Sequence, residues 1–365
     1  MKIVTVVGAR PQFIKAAAVS RKIRKYCKEV LVHTGQHYDN NMSELFFEEL
    51  HIPKPDYNLG VGSGSHAHQT AEMLVGIEEI LLKEKPDYLM VYGDTNSTIA
   101  GALAASKLLI PVIHVEAGLR SFNMAMPEEQ NRILTDHISK YLFCSTDTSI
   151  VNLKNEGIQN GVFQIGDVMC DAVLYYSQEI EKKEKEEYFS NLQYIFGKRE
   201  SIPEHWYLST VHRAENTNNI EKIRTILKAY EKLDAPVILP AHPRTRRMIE
   251  EIHRKEHLKN TICIEPIGYL EMLYFTKNAI KVVTDSGGLQ KEAYILNTPC
   301  VTLREQTEWI ETLKGNHNML AHIDEEDILS KVKNKNISLT KENYYGNGDA
   351  AEKLCHILFT EGKHE

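Results

Sequence analysis

Three carboxylates in the first half of the chain stand beside the ends or starts of predicted elements. Asp94, in YGDTNS, follows the apolar run 89–92; Glu116, in HVEAGLR, follows 112–115; Glu128, in MPEEQNR, follows Pro127. Proline suits the first position of a helix. Acids at the carboxyl edge of a parallel sheet project into the crevice where such sheets bind ligands. Poised, partly desolvated carboxylates are what proton transfer at carbon needs. Each also has a plainer use: Asp94 could cap a helix starting near Asn96, and Glu128 could pair with Arg132 one turn on. One such acid is weak evidence, whereas three in one half point to acid–base chemistry.

Four further segments suit a phosphorylated ligand. Gly8-Ala9-Arg10-Pro11 leads from the first apolar run into a helix carrying Lys15. A helix N-terminus offers free N–H groups and partial positive charge, and Arg10 and Lys15 would add formal charge for a diphosphate. A plain strand-to-helix turn with two solvated cations reads equally well, and with one glycine the segment is not a dinucleotide fingerprint. Asp285-Ser286-Gly287-Gly288 follows the run 279–284; its glycines permit close approach to phosphate, Ser286 can donate a hydroxyl, and Glu292 is placed to accept from ribose hydroxyls. His212, in TVHRAEN, could stabilise charge on a departing phosphate, and His242, in PAHPRT, ends the next strand. Either histidine could instead be structural.

No metal site is expected. His66 and His68 lie in GSGSHAHQT, read as a loop with no third ligand nearby. His253 and His257 have i, i+4 spacing but lack the glutamate of a zinc-protease helix, so a charged helix surface is expected there. The six cysteines show no C-x-x-C spacing and sit mostly in apolar runs, which suits free buried thiols in a reducing cytoplasm.

The elements that must hold these groups alternate. Short, near-continuously apolar runs at 3–7, 30–33, 88–92, 112–115, 142–144 and 162–165 are separated by helical segments such as 73–85 and 96–108. The second half repeats the rhythm with strands at 207–211, 237–240, 262–265, 279–284 and 300–303, and helices at 220–232, 246–256, 269–276 and 289–296. Runs buried on both faces and alternating with helices predict an α/β fold of two Rossmann-like doubly wound domains facing a cleft. The charged stretch 177–200 reads as a solvated helix face opening the second domain.

At 365 residues the chain is long enough for two such cores. A net charge of −7 with no Lys/Arg block argues against a nucleic-acid partner. The N-terminus has no signal-peptide pattern, and Lys107, Pro111 and His114 interrupt the most apolar stretch, so no membrane span is expected.

GARPQFIK, QHYD, YGDTNST, HVEAGLRS, PEEQNR, TVHRAEN, TDSGGLQKEA and the late YYGNGDAA occur in an order that, almost end to end, resembles the non-hydrolysing UDP-N-acetylglucosamine 2-epimerase family. The resemblance implies a glycosyltransferase-B-like fold: residues 1–170 with a C-terminal helix within 345–365 as the N-terminal domain, and 171–344 as the UDP-binding domain. It implies a cytoplasmic, homodimeric isomerase interconverting UDP-GlcNAc and UDP-ManNAc for polysaccharide synthesis, without a cofactor. In that chemistry UDP leaves C1 as the C2 proton leaves, and a 2-acetamidoglucal accepts both back. Asp94, Glu116 and Glu128 would be the acid–base groups, their order open. Arg10, Lys15 and His212 would hold the diphosphate, with His242 nearby; Ser286, Gly287, Gly288 and Glu292 would hold phosphate and ribose.

The chain departs from the commonest family pattern at Gln12, where a Glu usually follows R-P, at HRAEN, and at Trp309, which replaces an arginine. These variants resemble the branch acting on UDP-2,3-diacetamido-2,3-dideoxyglucuronate. QHYDNNMSE and SGSHAHQT differ from segments forming a second, activating substrate site, so weak or absent activation by UDP-GlcNAc is expected. Competing readings are a glycosyltransferase of the same fold with a UDP-sugar donor, a hydrolysing epimerase, and a non-catalytic UDP-sugar sensor.

Overall fold

A computed structural model describes residues 1–35, 49–338 and 340–360. The chain divides into two compact units, Met1–Ala172 with the segment from Asn343 onward, and Val173–Glu342.

The first unit carries β1 (Lys2–Val7), β2 (Lys28–His33), β3 (Tyr57–Asn58), β4 (Tyr88–Tyr92), β5 (Val112–Ala117), β6 (Tyr141–Cys144) and β7 (Val162–Gln164). They form one parallel sheet in the order β3-β2-β1-β4-β5-β6-β7. Val4, Val6, Val30 and Val32 pack against Met73, Ile77 and Leu81 of the His66–Glu84 helix and Ala100 and Ala104 of the Asn96–Lys107 helix. Burial on both faces explains the absence of polar alternation in these strands. The Ala350–Thr360 helix closes this unit: the Asp171 carboxylate accepts the N–H groups of Ala350 and Ala351 at 3.1 and 2.8 Å, Glu352 pairs with Lys22 at 2.9 Å, and Phe359 stacks on Tyr26.

The second unit carries β8 (Tyr194–Phe196), β9 (Tyr207–Thr210), β10 (Val237–Pro240), β11 (Thr261–Ile264), β12 (Val282–Thr284), β13 (Cys300–Thr302) and β14 (Asn318–Leu320), in the order β14-β13-β12-β9-β10-β11-β8. Six strands run parallel; β8 lies antiparallel to β11 at the edge, which the expectation of an all-parallel sheet missed. Such an edge strand is common on doubly wound sheets. β3, β8 and β14 went unread because runs of two or three residues carry no periodic signal.

In both sheets the winding direction reverses once, between β1 and β4 and between β9 and β12. A doubly wound sheet binds its ligand outside the carboxyl ends of strands at such a reversal.

Several local expectations change. His66 and His68 are in the first turn of a helix capped by Ser65, which accepts the His68 N–H at 3.4 Å, not in a loop. His253 is not simply on a charged surface: its ring stacks on Phe196 at 3.8 Å. The stretch after residue 177 forms two short helical pieces rather than one helix; its charged residues from Glu181 to Glu187 face solvent, with Lys185 half-buried, and Tyr188 and Phe189 turn inward. All six cysteines are free, and Cys27 alone is not fully buried. No described helix is long and apolar enough to cross a membrane. QHYD, residues 36–39, lies outside the described residues.

Candidate active site

In the first unit, the turn after β1 is built by close approach. A Cβ on Gly8 would collide with the hydroxyls of Ser97 and Thr34, so glycine is required. Gln12 then spans two strand ends. Its Oε1 accepts the N–H groups of Gly8 and Ala9 at 2.8 and 3.1 Å, and its Nε2 donates to the Tyr92 carbonyl at 2.8 Å and to Thr98 Oγ1 at 3.0 Å. Those two N–H groups are therefore not open to a phosphate. The positive character of this turn rests on Arg10, at the first position of the helix, and Lys15, one turn in.

Lys15 points to the end of the neighbouring strands. Its ammonium forms a buried ion pair with Glu116 Oε2. Glu116 has φ +73°, and the β5–β6 register slips between Val115 and Ala117. A non-glycine residue held in the left-handed region stores on the order of 1–3 kcal/mol of strain, a cost found chiefly at functional sites. Here the slip re-aims a carboxylate that regular alternation would direct elsewhere. Gly93, at φ +60°, follows β4 and donates its N–H to the Val115 carbonyl at 3.0 Å. A Cβ on it would lie 3.2 Å from Glu116 Oε2 and 3.4 Å from Lys15 Nζ.

Asp94 is next. It does not cap the following helix, whose N-cap is Thr95. Its carboxylate meets Arg132 Nη2 at 2.6 Å. Burial raises the Asp94 pKa; Arg132 and Lys15 oppose the shift, and Glu116 and Glu128 add to it. Asp94, Glu116 and Lys15 thus converge at the reversal of the first sheet. Glu128 is exposed in the first turn of the Pro127–Ile138 helix. The plainer alternative, a Glu128–Arg132 pair, is not formed: Arg132 is forked between Asp94 and Glu129, whose contact is 2.7 Å. Glu129 is fully buried and also accepts the N–H groups of Ser121 and Phe122 at 2.9 and 2.8 Å. Sequence reading missed Arg132 and Glu129 as site-building residues; the clue was the doubled acid in PEEQNR, of which only the second faces inward.

In the second unit, Asp285 is fully buried and stitches the two strand ends at the reversal. It accepts the N–H groups of His212 and Arg213, each at 3.0 Å, and Asn216 Nδ2 at 3.0 Å. His212 Nδ1 lies 3.3 Å from Asp285 Oδ1, and its ring stacks with His242 at 5.5 Å. Burial lowers the His212 pKa; Asp285 opposes this, and Arg213 and Arg244 reinforce it. His242 caps the Pro243–Glu256 helix: its Nδ1 accepts the Arg244 N–H at 3.2 Å, which leaves the ring hydrogen on Nε2.

Ser286 caps the Gly287–Ile295 helix by accepting the Leu289 N–H at 3.3 Å. A Cβ on Gly287 would press on Glu308, itself paired with Arg304 at 3.0 Å, whereas at Gly288 nothing lies closer than Ser286 Oγ at 4.0 Å. Glu292 is buried, and desolvation pushes its carboxyl up to about 7 against the opposing charge of Lys291. Lys291 lies 4.0 Å from the Trp309 ring centroid, and both side chains are buried. Trp309 is therefore an interior partner of a lysine. Among the described residues, no group of three metal-ligating side chains is assembled.

The model of the UDP-N-acetylglucosamine 2-epimerase family matches residues 21–359. The chain belongs to that family. It is 53% identical over 362 residues to a UDP-N-acetylglucosamine 2-epimerase homolog of Methanococcus maripaludis, covering 98% of this chain and 99% of the relative. It is 45% identical over 368 residues to the UDP-2,3-diacetamido-2,3-dideoxy-D-glucuronate 2-epimerase of Pseudomonas aeruginosa, covering 98% and 99%. The structure of Methanocaldococcus jannaschii UDP-GlcNAc 2-epimerase in complex with UDP-GlcNAc and UDP superposes with a TM-score of 0.86 at 42% identity, covering 98% of this chain and 99% of that one. This epimerase-family chain thus carries the two reversal-point clusters on two Rossmann-like units of the expected glycosyltransferase-B-like class.

Proposed function

We propose that this chain is an isomerase that epimerises UDP-GlcNAc at C2 by eliminating and re-adding UDP. The observation that carries the mechanism is the convergence of Asp94, Glu116 and Lys15 at the first sheet's reversal, in a member of this family. A carboxylate takes the C2 proton while the C1–O bond to the β-phosphate breaks, and UDP leaves with the bonding pair. C1 and C2 become the double bond of a 2-acetamidoglucal. Epimerisation requires the proton to return to C2 on the opposite face as the phosphate oxygen re-forms its bond to C1. Two differently placed acid–base groups meet that need, and Asp94, Glu116 and Glu128 are the candidates.

Arg10, Lys15, His212 and His242 are assigned to the diphosphate. Ser286, Gly287, Gly288 and Glu292 are assigned to phosphate and ribose. Open space at Gly288 supports close backbone approach, and a buried Glu292 favours a hydroxyl-donating partner. We also read the protein as a cytoplasmic homodimer: its cysteines are free, and Val75 and Leu82 on one helix and Leu134 on another are exposed apolar side chains. Sedimentation equilibrium tests the dimer.

The diacetamidoglucuronate is the second substrate reading, favoured by the 45% identity to the Pseudomonas aeruginosa enzyme. Proton NMR in D₂O with each sugar nucleotide decides. Deuterium at C2 of a new manno-configured UDP-sugar is expected, faster with the true substrate. UDP binding with no exchange in either sugar overturns the epimerase reading in favour of a transferase or sensor.

A further inference from the structure

Behind the acid cluster lies a fully buried ring that no step above uses. His114, in β5, has its Nε2 2.8 Å from the Gly93 carbonyl oxygen and its Nδ1 2.7 Å from Asp136 Oδ1. A carbonyl oxygen only accepts. Asp136 Oδ2 already accepts the Gly118 N–H at 3.1 Å and Arg120 Nη1 at 2.7 Å. With two donors already on Oδ2 and the Arg120 guanidinium beside it, Asp136 is a carboxylate and it too only accepts. An imidazole placed between two acceptors must carry hydrogen on both nitrogens.

We infer that His114 is held as a buried imidazolium whose two N–H groups tie the Gly93–Asp94 turn to the Pro127–Ile138 helix, making it a positioning residue for the acid cluster. Three acid-bearing elements meet at this ring. β5 carries it two residues before Glu116, the Gly93 carbonyl belongs to the peptide that enters Asp94, and Asp136 lies on the helix whose first turn holds Glu128. Gln12 fixes the preceding Tyr92 carbonyl, so both carbonyls leading into Asp94 are anchored by side chains. The groups facing the pair are Arg120 from the loop after β5, Glu156 paired with Arg120 at 2.6 Å, and Cys144 from β6. The imidazolium balances the Asp136 charge and leaves Arg120 to balance Glu156. Removing the imidazolium leaves an uncompensated anion beneath carboxylates that must exchange a proton.

The inference rests on the acid cluster's being the epimerase site, and the test separates the two. In protein labelled with ¹⁵N-histidine, the His114 signals are identified by their loss in His114→Gln. Both ring nitrogens are expected in the protonated range at neutral pH; one unprotonated nitrogen overturns the inference. This measurement needs only folded wild-type protein. In His114→Gln, and independently in Asp136→Asn, C2 exchange should fall about 10–10²-fold, the worth of a small misplacement of reacting groups. KM for the UDP-sugar should be unchanged. In His114→Gln the acid limb of the kcat profile should move to higher pH, because the negative charge left behind disfavours ionisation of the cluster. Folded variants with wild-type kcat and an unmoved limb reduce His114 to a packing role and overturn the inference. Absence of C2 exchange in the wild type defeats the epimerase reading instead, while the nitrogen signals still decide the state of the ring.

Discussion

Lys15 and Glu116 form a buried ion pair between a helix that follows β1 and a strained residue at the end of β5. Removing one partner of a buried pair leaves an uncompensated charge and typically costs about 3–5 kcal/mol. Lys15→Met should therefore lose roughly that much in urea unfolding. The double variant Lys15→Met/Glu116→Gln should recover much of the loss, because neither charge is stranded, yet remain inactive in C2 exchange. Additive single losses would show that the two side chains do not depend on one another.

Asp94 is placed for proton transfer by its neighbours more than by its own turn. Burial raises its pKa, and Arg132 holds it in place at 2.6 Å. Asp94→Asn should lower C2 exchange by about 10²–10⁴-fold, the usual worth of a positioned acid or base. UDP affinity should be nearly unchanged, because Asp94 is not among the groups assigned to the nucleotide. Near-wild-type turnover in this variant removes Asp94 from the mechanism.

The parallel strands and the turns after β4, β5, β9 and β12 were legible because buried strands are continuous apolar runs and their turns hold the polar residues. What the sequence could not show was which polar residue faces inward. PEEQNR contains two adjacent acids, and only the fold reveals that Glu129 is buried on Arg132 while Glu128 is exposed. Likewise nothing in the sequence around Trp309 shows that its ring is packed under Lys291. Gln12 reads as a substituted glutamate, yet its amide makes a donor contact to Tyr92 that a carboxylate cannot make.

His212 should couple UDP-sugar binding to proton uptake. Its lowered pKa, set by burial and by Arg213 and Arg244, keeps it neutral at neutral pH in the free protein. Its Nδ1 faces Asp285, so the hydrogen belongs there and Nε2 lacks one. A diphosphate arriving at Nε2 favours the imidazolium, so binding takes up a proton and affinity falls as pH rises, by at most about tenfold per unit. Titration calorimetry of UDP-GlcNAc binding to Asp94→Asn, in buffers of different ionisation heat, reads the proton directly. Added substitution of His212→Asn should abolish the uptake; uptake that survives it assigns the proton to another group.

Glu292 makes the opposite prediction for stability. Its carboxyl is pushed from 4.5 up to about 7 by burial, so between those values the folded state binds a proton that the unfolded state has released. A raised carboxyl therefore lowers stability as pH rises from about 4.5 to about 7, by at most about 3 kcal/mol. Glu292→Gln removes this penalty. The variant should match wild type below pH ~4.5 and exceed it in Tm near pH ~8, where the wild-type carboxylate is buried with only Lys291 to oppose the cost. The same substitution should weaken UDP binding, because the amide presents one accepting oxygen where the carboxylate presents two. A variant more stable at high pH with undiminished UDP affinity would separate the burial of Glu292 from nucleotide recognition, and would leave Ser286 and the two glycines as the groups assigned to phosphate and ribose.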